Sequence, residues 1–560
     1  MTRRSAPEGV RAERVVVALL LLLLGAAIVL PLLDVLMGAV VVDHRPTLEN
    51  LTAVFARPLF VRALANTLLS GVLVVGLGSL IAVPLAWLTA RYEFPGRRVL
   101  TTLGLLPLVV PPFVGAIAFQ QILGREGMVN LFLLQRFGLS FPFMEGLRGV
   151  VLVQTLLYFP VIMVATAAAL SGIDRGLEEA AQMLGASGLR LHRRILLPLA
   201  RRGYAAGALL TFIRVVDDLG TPLMLDYPTL LAPQAYVRVT TIGLADGEAS
   251  VICAVLIALS LVALWLFTRA LGRKELTSLG QSGKRSGVSL GAGGTAGAWA
   301  LAALLLAPAL LPQVGVLLLS VSREWGPTIL PSAYTADHYR EVLWRTPHYL
   351  WNTLRYAVLA ACVDMVLGTV IAWLLLRGRT WGAGWLHALA IVPLAVPGVV
   401  LALGYLRMFH GWSLPGLGAP LTSTWLVLVV VYAVGRLPYT VRGSYAALQA
   451  LPPAFEEAAQ GLGASRARAF GRVTVPLVTR GLLVGGLLAF VSAASDLSST
   501  LLLVSRPELG PLSYGVFVSM NEAGGRGPGA ALGVLVIAIV AAGTGVAARL
   551  ALRGAATTRG

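Results

Sequence analysis

Twelve apolar runs, each about long enough to cross a bilayer, recur along the chain in two sets of six. The first set lies near 15–41, 62–90, 99–123, 147–170, 203–225 and 249–271; the second lies near 297–321, 351–376, 385–409, 423–447, 481–504 and 528–552. A hydrocarbon core needs roughly 20 apolar residues per helix, and the helix satisfies its own backbone hydrogen bonds there. With 57% hydrophobic and 12% charged residues, the chain has too little charge to cover a water-exposed surface. The sequence predicts an all-α polytopic membrane protein of about twelve transmembrane helices.

The net charge of +18 does not indicate nucleic acid. Nucleic-acid binding gathers basic residues on one wet face, whereas here they sit in short clusters between apolar runs. That pattern fits the positive-inside rule and attraction to anionic lipid. Arg3, Arg4, Arg11 and Arg14, then Arg91, Arg97 and Arg98, the 190–202 stretch, the centre of the chain, Arg377 and Arg379, and the 466–480 stretch alternate with less basic loops. Placing them in the cytoplasm puts both termini inside, although Arg45, Arg57, Arg125 and Arg340 fall in the outer loops. The first run is too long for the h-region of a cleaved signal and reads as an uncleaved helix. Cys253 and Cys362 lie inside apolar runs, and the scattered histidines form no ligand cluster, so neither a metal site nor a cofactor is expected. His338 and His348 share an outer loop and read as ordinary loop histidines.

The two sets are a repeat. Asn66-Thr67 matches Asn352-Thr353, Trp87 matches Trp373, and Pro107 and Pro111 match Pro393 and Pro397, all offset by 286 (352 − 66). Pro160/Pro438, Glu179/Glu457 and Pro198/Pro476 are offset by 278 (438 − 160), so one eight-residue change between Pro111 and Pro160 explains both values. Six spans are an even number, so the halves insert in the same direction, as parallel repeats about an axis along the membrane normal. We expect a first repeat over 1–272, a cytoplasmic linker over 273–296 and a second repeat over 297–560. In the linker, the stretch 280–285 loosely resembles a phosphate-binding loop but lacks its first glycine and its final Ser/Thr.

After the fourth span comes Glu178-Glu179-Ala180-Ala181, then Gly185, Ser187, Ile195, Leu197 and Pro198; after the tenth comes Glu456-Glu457-Ala458-Ala459, then Gly463, Ser465, Val473, Val475 and Pro476. The Glu-Ala-Ala runs favour helix, and glutamate complements a positive helix start. Gly185 and Gly463 can stop the helix, the serines can cap the next segment, and the prolines suit the start of the following span. The expectation is two short surface helices, near 177–187 and 455–465, with small alanines that let a partner pack closely. A single copy would fit a helix lying in the headgroups equally well; two copies at equivalent repeat positions favour docking.

On these residues the sequence resembles the inner-membrane permeases of binding-protein-dependent ABC importers. The first motif fits that family's pattern through Pro198, and the second departs only at Val473 and Val475. The resemblance implies the type I ABC importer permease fold in a bacterial inner membrane. It further implies that Glu179, Ala180, Ala181 and Gly185, with Glu457, Ala458, Ala459 and Gly463, couple the chain to a cytoplasmic ABC ATPase dimer. A periplasmic or lipid-anchored solute-binding protein would deliver the cargo. ATP hydrolysis would then sit on a separate subunit, and this chain would not itself be an enzyme. Fusion of both halves in one polypeptide resembles the ferric-iron type, and also the thiamine type; the 217–222 stretch also resembles phosphonate-type sequences. Ferric iron is the favoured cargo, with thiamine, phosphonate or polyamine as alternatives and an ion-coupled secondary transporter as the rival class.

Intramembrane acids are costly and usually functional. Asp218 and Asp496 align at offset 278 (496 − 218) near the ends of the fifth and eleventh spans. Two readings stand: they line the translocation path and favour a cationic solute, or they sit at a helix end, with Asp218 paired to Arg214 one turn earlier. Asp34 and Asp364 lack partners of their type in the repeat and read as structural. Pro111-Pro112 and Pro397-Gly398 break the third and ninth helices, either to line a cavity or as simple kinks, the kink being the plainer expectation.

Overall fold

A computed structural model of the chain describes residues 8–42, 45–186, 188–275, 288–326, 328–378, 382–413, 418–522 and 526–557. Among the described residues, nine helices are long and apolar enough to cross a membrane, and two further spans are bent pairs. The twelfth span is the helix Leu197–Asp217, whose Arg201, Arg202, Arg214 and Asp217 keep it from being apolar throughout. It occupies the place of Val475–Ala494 in the second half. Each half thus contributes six spans.

The halves pack alike. Pro58–Arg91 lies against Gly146–Ser171 and Leu197–Asp217, as Pro347–Arg377 lies against Leu426–Gln449 and Val475–Ala494. Small residues let the fourth and fifth spans of each half approach backbone to backbone. A Cβ on Gly207 would come within 2.9 Å of the Ile162 Cα, and one on Gly443 within 2.8 Å of the Gly485 Cα. In lipid no hydrophobic force drives helices together, so such close packing carries much of the association.

The first span of each half crosses to the other. Leu30–Val40 packs on Gly398–Met408, where the Tyr405 hydroxyl donates to the Ala27 carbonyl at 2.7 Å and Arg407 Nε pairs with Asp34 Oδ2 at 2.9 Å. Reciprocally, Ala292–Val321 packs on Pro112–Leu123. Asp34 is therefore structural, as expected. At the junction, Gly247–Glu275 runs three residues into the expected linker, 276–287 lie outside the described residues, and Val288–Ser289 pairs in parallel with Tyr92–Glu93. The next helix starts at Ala292, and Trp299 Nε1 donates to the Pro95 carbonyl at 3.2 Å, which ties the second half's first span to the first half.

The repeated Asn-Thr pair has a definite job at the ends of the second and eighth spans. Thr67 Oγ1 accepts the Leu231 N–H at 3.0 Å, and Thr353 Oγ1 accepts the Leu512 N–H at 2.7 Å. Leu231 and Leu512 each begin a helix in the segment after the fifth or eleventh span, so each threonine satisfies an amide that the helix start leaves open. Asn66 Nδ2 donates to the Thr229 carbonyl at 3.1 Å, and Asn352 Nδ2 to the Gly510 carbonyl at 3.0 Å, which ties down the loop before each helix.

Candidate functional site

The two Glu-Ala-Ala segments form the short helices Arg175–Met183 and Ala454–Gly461. Asp174 Oδ1 caps the first by accepting the Gly176 N–H at 2.9 Å. Both end on glycines in the left-handed region, Gly185 at φ +83° and Gly463 at φ +87°. There the Gly185 and Ala186 amides reach back to the Gln182 and Ala181 carbonyls (each 2.9 Å), and Gly463 and Ala464 do the same to Gln460 and Ala459 (2.9 and 3.0 Å). This is a glycine-terminated helix end, as the motif predicts. Ser465 Oγ accepts the Arg468 N–H at 3.3 Å and caps the next segment, while Ser187 lies outside the described residues. Pro198 and Pro476 differ from expectation. Each lies within continuous helix just after a π-turn, His192–Leu196 or Phe470–Thr474, rather than at a fresh helix start. A proline removes one N–H from the helix ladder, and a wider turn beside it takes up that irregularity.

The two glutamates of each motif divide their work. Glu178 pairs with Arg91 at the end of the second span. Glu456 is buried, accepts from Thr474 Oγ1 at 3.0 Å, and lies 3.7 Å from Arg377 Nε at the end of the eighth span. Arg91 and Arg377 are themselves repeat equivalents (377 − 91 = 286), so the pair is duplicated with everything else. Glu179 and Glu457 face outward, as do Ala180 and Ala458, whereas Ala181 is buried and Ala459 half-buried. Beside them Leu177, Met183 and Leu184 in the first segment, and Phe455 and Leu462 in the second, are exposed; Leu184 and Leu462 reach 89% and 92%. At the same end of the molecule Arg466 pairs with Glu13 of the first span.

A cavity of about 320 Å³ lies where the halves meet, and both Asp218 and Asp496 line it. Around it the third and ninth spans turn by 98° and 109° at their proline breaks, and residues 107–113 form part of the wall. Both breaks are therefore sharp turns rather than simple kinks, and the first of them lines the cavity. The fifth span also ends earlier than its apolar run, at Asp217, and restarts as Gly220–Met224; the eleventh ends at Ala494 and restarts as Thr500–Leu503.

Each aspartate sits in the break and holds the restart. Asp218 Oδ1 accepts the Thr221 N–H at 3.1 Å, and its Oδ2 accepts from Gln154 Nε2 at 2.9 Å. Asp496 Oδ2 accepts the Ser499 N–H at 3.2 Å and the Ser499 hydroxyl, while its Oδ1 takes Arg436 Nη2 at 2.5 Å. The Asp218–Arg214 pair, one of the two readings of the sequence, does not form among the described residues, because the helix ends between them and one-turn spacing no longer applies. Arg214 Nη2 instead donates to the Tyr439 hydroxyl at 2.8 Å, from one half to the other. Asp217, which the sequence does not single out, makes a second crossing: its Oδ1 accepts the Gly398 N–H at 2.7 Å. Asp364 is buried in the eighth span, and both of its carboxylate oxygens lack hydrogen-bond partners among the described residues.

Neither cysteine is paired, and among the described residues no three His, Cys, Asp or Glu side chains gather to hold a metal ion. His338 Nε2 lies 2.8 Å from the Ser322 carbonyl and ties the loop to the seventh span.

Comparison with known proteins matches the family model of the binding-protein-dependent transport system inner membrane component to this chain twice, at residues 82–275 and 364–553. A putative ferric transport system permease of Haemophilus influenzae is 25% identical over 476 residues, 82% of this chain and 72% of its own length. An Fe(3+)-transport system permease of the same species is 24% identical over 511 residues, 90% of this chain and 92% of its own. A probable molybdenum ABC transporter permease of Haloferax volcanii is 34% identical over 255 residues, 45% of this chain and 90% of its own.

Proposed function

Since this chain belongs to the family of binding-protein-dependent transport system inner membrane components, we propose that it forms the whole membrane passage of an ATP-driven importer, with both Glu-Ala-Ala helices seated on a cytoplasmic ATPase dimer. The observation that carries this reading is the shared design of the two helices. In each, the first glutamate anchors inward to an arginine while the second glutamate and a large apolar side chain face out. Exposed leucines at 89% and 92% on a surface turn, at equivalent positions of a repeat, suit a partner that binds twice. On this reading that end of the molecule and both termini are cytoplasmic, and a periplasmic or lipid-anchored binding protein delivers solute to the opposite end. Asp218 and Asp496 then act at the path by shaping the breaks that border it.

Ferric iron is the cargo this reading favours, because the relatives named for ferric transport align along most of the chain and through both halves. A molybdenum oxyanion is the second reading, favoured by the higher identity of the relative named for molybdenum over about half the chain. Uptake into right-side-out or reconstituted vesicles with ATP inside, measured with labelled iron and labelled molybdate outside, tests both. ATP and a co-purifying ATPase are required if the proposal holds. Full uptake driven by an ion gradient alone, after Glu179 and Glu457 are both replaced by glutamine, would overturn it.

A further inference from the structure

We infer that the cavity between the halves receives an oxygen-bearing anion, and that the Arg214 guanidinium is the group which meets it; the inference rests on the permease reading above. Five charged side chains line the cavity: Arg214, Asp217, Asp218, Arg436 and Asp496. By number, carboxylates exceed guanidiniums, which at first favours a cation. Their partners reverse that reading.

Each of the three carboxylates accepts a backbone amide of the wall. Asp217 holds the Gly398 N–H at 2.7 Å, Asp218 holds the Thr221 N–H at 3.1 Å, and Asp496 holds the Ser499 N–H at 3.2 Å together with Arg436. Asp218 and Asp496 are buried, and Asp217 and Arg436 are half-buried. Arg214 alone of the five is exposed, and its one hydrogen bond among the described residues goes to the Tyr439 hydroxyl. A guanidinium carries five N–H donors in a rigid fork that matches the spacing of two oxygens on one anion. With one donor used, about four remain to face the cavity. The most exposed charge is therefore positive and planar, although the summed charge is not.

A bare multivalent cation entering here would meet the exposed Arg214 guanidinium first, while each acid is tied by at least one oxygen to a backbone amide. Iron would pass only when wrapped in anionic oxygens; an oxyanion would pass as itself. Both present the same chemistry to Arg214, namely two charged oxygens held in one plane.

The test places a thiol in the cavity wall by Ser492→Cys, with Cys362→Ser removing the exposed native thiol, in the full chain held in lipid nanodiscs. The rate of maleimide labelling is measured with molybdate, with ferric citrate against iron-free citrate, and with hexaamminecobalt(III) as an oxygen-free trivalent cation. At least fivefold slowing by an anion is expected, lost in Arg214→Gln and partly retained in Arg214→Lys, with gel filtration of each variant reporting its fold. Slowing by molybdate alone identifies an oxyanion, and slowing by ferric citrate beyond iron-free citrate identifies an anionic iron chelate. Slowing by hexaamminecobalt(III) with none by any anion, no slowing by any probe, or slowing that survives Arg214→Gln undiminished overturns the inference. Failure of the permease reading is separately visible as the absence of ATP-driven uptake of any solute. Failure of this inference alone leaves that uptake intact, with a free cation as its cargo.

Discussion

Glu456 and Glu457 are neighbours in sequence with opposite surroundings, so replacing each by glutamine separates anchoring from docking. Glu456 lies 3.7 Å from Arg377 Nε and accepts from Thr474 Oγ1 at 3.0 Å, and the two charged side chains are 10% and 17% exposed. Unit charges at that distance attract by about 4 kcal/mol at an effective dielectric near 20. Desolvation of both ions offsets part of that attraction. Arg377 also keeps its bonds to the Leu448 and Leu451 carbonyls, at 3.4 and 2.6 Å, when the carboxylate charge is gone. The net loss expected for Glu456→Gln is therefore about 2 kcal/mol, felt as weaker docking of the Ala454–Gly461 helix on the end of the eighth span.

Such a loss is roughly 30-fold in an opening equilibrium, since each 1.4 kcal/mol is tenfold. Hydrogen–deuterium exchange in the purified chain reads it directly. The reporters are the Leu462, Gly463 and Ala464 amides, whose acceptors at Ala458, Gln460 and Ala459 belong to the same helix end. Exchange there should speed up about 30-fold in Glu456→Gln and by no more than about twofold in Glu457→Gln, whose side chain is exposed. The ATPase readout should separate the two the other way: Glu457→Gln abolishes stimulation of the partner without opening the helix. Equal exchange in the two variants would show that the inward pair does not hold the helix and would refute the division of labour. Glu178→Gln in the first half should act in the same sense but more weakly, because Leu196 stands where the second half has Thr474 (474 − 196 = 278).

Gly185→Ala or Gly463→Ala meets open space but must hold a φ of +83° or +87°, at a cost of about 1 kcal/mol; ATPase stimulation should fall while the thermal midpoint of the whole chain stays put. Thr353→Val leaves the buried Leu512 N–H without its acceptor and should lower stability by about 1–3 kcal/mol, with Thr353→Ser restoring it in a thermal melt. Gly443→Leu would set its Cβ 2.8 Å from the Gly485 Cα, and should lower the melting temperature by several degrees, more than Gly435→Leu, whose Cβ would meet nothing nearer than 3.9 Å.

The twelve spans are legible in the sequence because composition and length decide them, and the repeat offsets locate both Glu-Ala-Ala helices. What the apolar pattern does not reveal is where a span turns. A straight helix and one that bends 98° beside Pro111 bury the same residue types, and the break at Asp218 lies inside a run that reads as continuous. Glu178 and Glu456 do not stand out as anchors because their partners, Arg91 and Arg377, lie 87 and 79 residues earlier (178 − 91 and 456 − 377). The offsets hold that signal too: one acid on the short helix and one base at the end of a span, each present in both halves. The cavity charges follow the opposite rule. Arg214 is matched by Ser492, Asp217 by Ser495, and Arg436 by Tyr158, each at offset 278 (492 − 214, 495 − 217, 436 − 158). The anchors of the Glu-Ala-Ala helices and the Asn-Thr ties are thus present twice, whereas three of the five charges that face the cavity are present once. A pathway between identical halves must repeat every charge across its axis. Fusing the halves lifts that constraint, so Arg214 of the first half can donate to Tyr439 of the second while Ser492, not a second arginine, occupies its own repeat position.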